Sequence, residues 1–552
     1  MTFQERAAAS LEETAALLSV RGENPFRIRA FEAAARAVSG YAGDLEAALA
    51  PGSDERIPGV GKGIADFLRA LVADEIPEVL SDARRAVQPA ILELLAVPGL
   101  GAGRIRKLHE ALNIQGLGDL ERAIDEGRVA KLPGFGEKSV RKIREGISFA
   151  RGIRGRCLMP EGIFEMEDAV ARLRAALPNR RVEGAGQARR RLETISSQAF
   201  AAEGQAQDIC AAAAVLGDAS VRDGIVRGRL ASGRPFEIHP AAPGAFGTAW
   251  IRATGAEAHL AALAAKGPLP EAASEEAAYG ALGLEWIPSE WREGRGEIAG
   301  AEAARAAGRP IRLVETGDLR GTFHVHTTES DGLSDLSEIA RASAERGWEY
   351  VGISDHSRSA GYAGGLDASR LARQGNAIRA LSERAGIRIL HGSEVDILPD
   401  GTLDFPDEIL GTLDFVVASV HGRFGMSRDE MTERILRAIR NPAVTILGHM
   451  TGRLLLEREP YAVDEERVIR EAARLGVAVE LNSHPSRLDI DWRRISFLLG
   501  EGGRIAIDPD AHVAEGLGDV EWGVLIARKG GVKPDDVLNA RCADDAIRSR
   551  AK

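Results

Sequence analysis

Six of the chain's eleven histidines, with two aspartates and one glutamate, fall at or near the ends of short apolar runs within roughly the last 230 residues. The positions are His324, His326, Asp331, His356, Glu394, His421, His449, Asp510 and His512. Imidazoles and carboxylates are the ligand set of Zn²⁺, Mn²⁺ or Fe²⁺, and no cysteine joins them, which points away from a closed structural zinc site. The pattern reads as an open catalytic centre for two or three divalent ions. Glu394 is the expected bridge, and a water held near Glu394 and His421 would be acidified toward neutrality and attack phosphorus. Burying nine such groups without cations would be costly.

The elements that must position these residues are short and apolar. Residues 350–354 lead to Asp355 and His356, 387–390 to Glu394, 415–420 to His421, 444–448 to His449 and 504–507 toward Asp510. Such runs are the signature of buried parallel strands. One ligand per strand end is the layout of a βα barrel with its site at the C-terminal rim.

In order and spacing, the segments Phe323-His324-Val325-His326, Ser330-Asp331-Gly332, Ser354-Asp355-His356, Gly392-Ser393-Glu394, Ser419-Val420-His421, Gly448-His449 and Asp510-Ala511-His512 resemble the PHP family of metal phosphoesterases. The resemblance covers residues 318–552 and implies a distorted (βα)₇ barrel in which all nine positions are ligands. Asn482 and Arg487 follow a further strand and are expected to touch substrate phosphate.

The remaining 300 or so residues need domains of their own, and 44% apolar content suffices for packed cores. A net charge of −11 argues against a uniformly basic nucleic-acid coat but allows a local basic face. Cys157, Cys210 and Cys542 are widely spaced and form no CxxC, as suits a reducing cytoplasm. A polar N-terminus and the lack of any long apolar run point to neither secretion nor membrane insertion.

The first third of the chain repeats itself. Ile57-Pro58-Gly59-Val60-Gly61, Val97-Pro98-Gly99-Leu100-Gly101 and Leu132-Pro133-Gly134-Phe135-Gly136 recur about every 35 to 40 residues, each ahead of a helical stretch. They resemble helix-hairpin-helix motifs. The glycine pairs let backbone approach a phosphate, and the amides at the following helix start favour an anion, a grip that reads no base sequence. Residues 104–156 hold 13 Lys/Arg against 7 Asp/Glu, a net of +6, with Lys138 just after the third hairpin. That cationic stretch suits DNA phosphates, with binding that weakens as salt rises.

Together with the helix expected after Asn24-Pro25 and thumb-like segments such as Ile287-Pro288, this order resembles the bacterial family X DNA polymerases that end in a PHP domain. The resemblance implies an N-terminal helical domain (1–85), a fingers-like helix-hairpin-helix domain (86–155), a nucleotidyltransferase-like α+β palm and thumb (156–310) and the PHP domain (318–552), with 301–312 as linker. Polymerisation needs paired carboxylates on a palm strand to hold two Mg²⁺ ions. The stretch Gly186-Gln187-Ala188-Arg189-Arg190-Arg191-Leu192-Glu193-Thr194-Ile195-Ser196-Ser197-Gln198-Ala199 places Ser197 and Ala199 where the family has its aspartates, and Gln187 at the triphosphate serine. The third acid falls at Glu237, and no Asp-x-Asp occurs in 160–310. Phe67 stands at the family's Schiff-base lysine position, so no lyase activity is expected.

No dinucleotide fingerprint, nucleophile elbow or P-loop is present to suggest other chemistry. The expectation is a cytoplasmic, monomeric, metal-dependent phosphoesterase acting on gapped or single-stranded DNA ends without sequence specificity. It would be a 3′-5′ exonuclease or 3′-end processing enzyme in repair, its polymerase core weak or silent. The alternatives are a phosphatase for a small monoester and a still-active gap-filling polymerase.

Overall fold

Glycine and proline punctuate the N-terminal third into short helices. The computed structural model describes residues 3–547 except 40, 42–44, 51–52, 54–56, 58–59, 74, 88 and 96. The chain forms two compact units, Met1–Arg154 and Gly155–Lys552; the four segments read from the sequence fall two to each. In the first unit, the helix Pro25–Ser39 begins where the Asn24 side chain accepts the Phe26 amide at 2.8 Å. The helices Lys62–Val72, Ala102–Leu112 and Glu137–Ile153 start at Gly61, Gly101 and Gly136, none of which can offer a capping side chain. Gly99 and Gly134 sit at φ +78° and +90°, a region that disfavours any Cβ. Phe67 is buried edge-on against Phe31 with ring centroids 5.4 Å apart, so this position serves the core.

The second unit opens with a five-stranded sheet. Its order is Val182–Ala185, Gln198–Glu203, Pro235–Ala241, Ile225–Arg229 and Ala219–Arg222. Helix Met159–Ala176 covers it through Met166, Val170 and Leu173. The second and third strands of this order run parallel in a register that sets Ala199 opposite Glu237.

A seven-stranded parallel sheet follows: β1 (Gly321–Thr322), β2 (Tyr350–Ile353), β3 (Arg388–Asp396), β4 (Phe415–Ser419), β5 (Ile446–Leu447), β6 (Ala478–Asn482) and β7 (Ile505–Asp508), paired in sequence order. A parallel bridge between Val325 and Ala511 brings its two edges together as a nearly closed barrel. Phe323, Tyr350 and Phe415 pack inside as an apolar floor. Gly352 and Gly392 make room for it, since a Cβ on either would lie 2.6 or 2.4 Å from the Phe415 ring. β3 runs past the apolar stretch expected to be the strand, because its pairing with β4 continues from Gly392 to Asp396. β5 is shorter than the run that suggested it. Among the described residues no helix is long and apolar enough to cross a membrane.

Barrel and palm share one core: Met159 and Ile163 of the palm helix pack into the barrel's hydrophobic cluster. Glu193 accepts from Trp492 Nε1 at 2.9 Å and from Arg493 at 2.7 Å. The stretch expected as a linker is partly the helix Glu297–Ala306, pinned where buried Glu297 meets His259 Nδ1 at 2.7 Å. Lys529, only 2% exposed, donates to the Arg190 carbonyl at 3.1 Å and to the Glu293 carboxylate, and lies 4.5 Å over the Trp492 ring. Burial lowers its pKa from 10.5 to about 8, against the pull of Glu293. Below about pH 8 both folded and unfolded chains carry this proton and the cost of burying it is full. Between about 8 and 10.5 only the unfolded chain binds it, so folding gains stability as pH rises. Denaturant titrations should show wild type gaining stability relative to Lys529→Met across that window; a difference flat in pH contradicts the assignment.

Candidate metal centre

Glu394 lies near the end of β3, 1% exposed, with a carboxylate surrounded by imidazoles. Its Oε1 is 2.9 Å from His449 Nε2, 3.2 Å from His421 Nε2 and 3.4 Å from His324 Nε2. Its Oε2 is 3.0 Å from His356 Nδ1 and 3.6 Å from His326 Nε2. Parallel pairing makes this possible, because strands that point the same way deliver their ends to one rim.

Around this carboxylate the ligand atoms fall into three groups, each within 4.8 Å: His326, Asp331, His356 and His512; His324, His326 and Asp510; and His356, Glu394 and His421. Eight of the nine residues read from the sequence are thus brought together. The ninth, His449, stands beside the groups on Glu394. His326 and His356 are each shared between two of the groups.

The donor set suits divalent ions. His324 Nε2, both nitrogens of His326, His356 Nδ1 and His449 Nδ1 are buried without a hydrogen-bond partner, an expensive arrangement unless a cation accepts their lone pairs. Burial, reinforced by His512 and His356, lowers the His326 pKa to about 3, which keeps the ring neutral and one nitrogen's lone pair free. Burial also opposes charge on His356 and His421, yet Glu394, with Asp331 and Asp396 respectively, outweighs it and raises them to about 10 and about 9. Cations entering here must displace those protons.

A layer of carboxylates that the sequence did not single out holds the imidazoles in place. Glu480 on β6 pairs with His324 Nδ1 and accepts the His449 amide at 2.6 Å; Asp396 pairs with His421 Nδ1. Each fixes the tautomer that leaves Nε2 free to ligate. Buried Asp355 accepts the Thr327 amide at 2.8 Å and its hydroxyl at 2.6 Å, and also holds Ser330, bracing the loop that carries Asp331. Two signals were available. Asp396 follows Glu394 by two residues, the spacing of one strand face, and Glu480 is an acid inside the apolar strand Ala478–Asn482.

Arg487 reaches the rim, with Nε 3.5 Å from Asp510 Oδ2. Asn482, expected beside it on substrate, is instead fully buried. Its amide donates to Asp510 at 3.0 Å and its oxygen accepts the His484 amide at 3.2 Å, so it orients a carboxylate and has no open side for a phosphate.

The palm retains a cleft of about 440 Å³ lined by Gln187, Ser197, Ala199, Glu237 and Arg252, among others. Glu237 is there the lone acid, engaged by His239 at 3.0 Å. Gln187 is spent on the turn, accepting the Ser196 amide at 2.8 Å. Arg189 is locked to Glu275 at 2.7 and 2.8 Å, and Arg190 to Glu293 at 2.9 Å. In the first unit, Gly61, Gly99, Gly101, Gly134 and Gly136 all face open space, with nothing within 4 Å of where a Cβ would stand. Lys138 is exposed beside Gly136. Gly59 lies outside the described residues.

Comparison with known proteins agrees with this architecture. Residues 4–75 match a helix-hairpin-helix domain, 91–148 a SAM-like helix-hairpin-helix tandem and 322–484 the PHP domain. The chain is 31% identical to the DNA polymerase/3′-5′ exonuclease PolX of Bacillus subtilis (strain 168), over 97% of each chain. The chain belongs to the PolX family. Over part of its length the chain also resembles other proteins: a probable phosphatase of Thermoanaerobacter sp. (strain X514) is 32% identical over 39% of this chain and 88% of its own, and one of Syntrophotalea carbinolica is 27% identical over 39% and 90%. As a PolX-family chain with a PHP domain it is an enzyme, a metal-dependent phosphoesterase.

If Glu480 and Asp396 set the imidazole tautomers, Glu480→Gln and Asp396→Asn should each weaken Mn²⁺ binding about 10- to 100-fold. Equilibrium dialysis with metal analysis measures this, and wild-type affinity in both variants contradicts the role.

Proposed function

We propose that this chain is a 3′-5′ exonuclease or 3′-end phosphoesterase for DNA, that the nine residues ligate two or three ions of Mn²⁺, Zn²⁺ or Fe²⁺, and that its palm no longer polymerises. The convergence of five imidazoles on Glu394 carries the reading. A metal-capable cluster of this kind is found at the barrel rim and nowhere in the palm, among the described residues.

When bound, divalent ions there supply Lewis acidity toward the phosphoryl oxygens and the attacking water. His324 and His421 are held in ligating orientation by Glu480 and Asp396. Arg487, 3.5 Å from Asp510, is placed to donate to the non-bridging oxygens of a phosphate through its guanidinium, as arginine does in bidentate recognition. In the first unit, the glycines and Lys138 grip backbone phosphates without reading bases. The palm lacks both paired acids, and Glu237 alone cannot hold two Mg²⁺ ions.

The Bacillus subtilis relative, a DNA polymerase and 3′-5′ exonuclease together, supports DNA as the substrate. The phosphatase relatives support a second reading, a small monoester taken by the same centre.

One gapped, 3′-labelled DNA should decide between these. With Mn²⁺, wild type should shorten it from the 3′ end. Glu394→Ala and His421→Ala should abolish shortening, and no primer extension should appear with added nucleotides and Mg²⁺. Shortening that survives both substitutions contradicts the site, and robust extension contradicts the silent palm. Filter binding should show affinity falling about 10³-fold or more between 50 and 200 mM salt if six or more phosphates are gripped; salt-insensitive or absent binding favours the monoester.

A further inference from the structure

Among the described residues, the large apolar side chains left most exposed are Phe26, at 76%, and Tyr362, at 74%. Tyr362 stands at the metal centre. Its ring centroid is 6.2 Å from His356 and 6.5 Å from His421, at interplanar angles of 58° and 68°, so the two imidazoles support it edgewise and leave most of the ring open.

This exposure is built rather than accidental. Tyr362 is the middle residue of a short turn, Gly361–Ala363, whose flanks are fixed: Ala360 and Leu366 are fully buried and Ala363 is 3% exposed. The Ala363 amide donates to Ala360 at 2.9 Å, and the Leu366 amide to His356 at 2.7 Å. Gly365 packs so closely on the Ser357 carbonyl that a Cβ would lie 2.0 Å from it. The turn therefore presents the ring from a rigid base. Another aromatic near the rim, Phe424, is already engaged, stacked on Tyr461 at 5.8 Å with Arg458 4.6 Å over its ring. Tyr362 has no such cover.

Arg487 borders the cluster at Asp510 while Tyr362 borders it at His356 and His421. A phosphate over the cluster would have a cation on one side and an open aromatic face on the other. A phosphorylated group with a flat, apolar face fits this mouth; stacking on tyrosine is tolerant of base identity and requires the base to be unpaired.

We propose that Tyr362 is the stacking platform for the unpaired nucleobase next to the phosphate held at the metal centre. This rests on the exonuclease reading and narrows its substrate to nucleic-acid ends that are single-stranded or frayed.

The test uses the full-length, Mn²⁺-loaded chain and two oligodeoxynucleotides, one with an ordinary 3′ terminus and one whose terminal residue is abasic. Wild type should prefer the base-bearing end, and Tyr362→Ala should reduce that preference about 5- to 100-fold. Tyr362→Trp should restore it. Binding is read separately with 2-aminopurine at a 3′ end protected by a phosphorothioate linkage: wild type should quench its fluorescence and Tyr362→Ala should quench it less. An unchanged preference and unchanged quenching in Tyr362→Ala, with wild type cleaving both oligonucleotides, overturns the platform alone. Equal loss on both oligonucleotides with unchanged quenching shows a structural role and also overturns it. Failure of wild type to cleave either overturns the exonuclease reading, and the platform with it.

Discussion

The second unit is organised around one electrostatic constraint, the burial of the Glu394 carboxylate among imidazoles from five other positions. A carboxylate this deep needs partners that offset its charge. The barrel exists to deliver them. Each arrives at the end of a parallel strand or on the loop beyond it, and each needs its own support behind. Glu480 and Asp396 orient imidazoles, Asp355 ties down the Asp331 loop, and the Phe323–Tyr350–Phe415 floor keeps the rim at the right height. A defect anywhere in that support is felt as misplacement of the same few atoms.

The palm's charged side chains are spent on packing. Its arginine-rich turn faces inward, with Arg189 on Glu275, Arg190 on Glu293 and Glu193 on the barrel's Trp492 and Arg493. Burial works against charge on Glu275, but Arg292 and Arg189 hold its carboxyl down at about 2. These are the contacts of a structural wall, and Lys529 fastens the barrel to it.

Much of this was legible in the sequence for a specific reason. Parallel strands buried on both faces are nearly continuous apolar runs, so a histidine or acid at the end of one stands out from its background. That exposed the residues that now converge and the barrel that holds them. What sequence concealed was adjacency between strands. Glu480 lies 156 residues from the histidine it orients, and nothing local ties the two. Asn482 illustrates the reverse error. Its position after a strand suggested substrate contact, whereas the register of β6 against β7 turns it toward Asp510 inside the wall. The strand limits shifted for the same reason, since pairing with β4 carried β3 onward to Asp396.

The parallel register sets Ala199 opposite Glu237, so these two strands present a single carboxylate to the cleft. Gly186 takes a left-handed turn at φ +64°, and a Cβ there would lie 2.7 Å from the Ala199 Cβ, so its lack of a side chain leaves the space above Ala199 clear. The sheet is held in this shape by its duties to the neighbouring barrel, through Glu193 on Trp492 and Arg493 and Lys529 on Glu293, so what the cleft can bind is set by the few side chains on its lining and not by the frame beneath them.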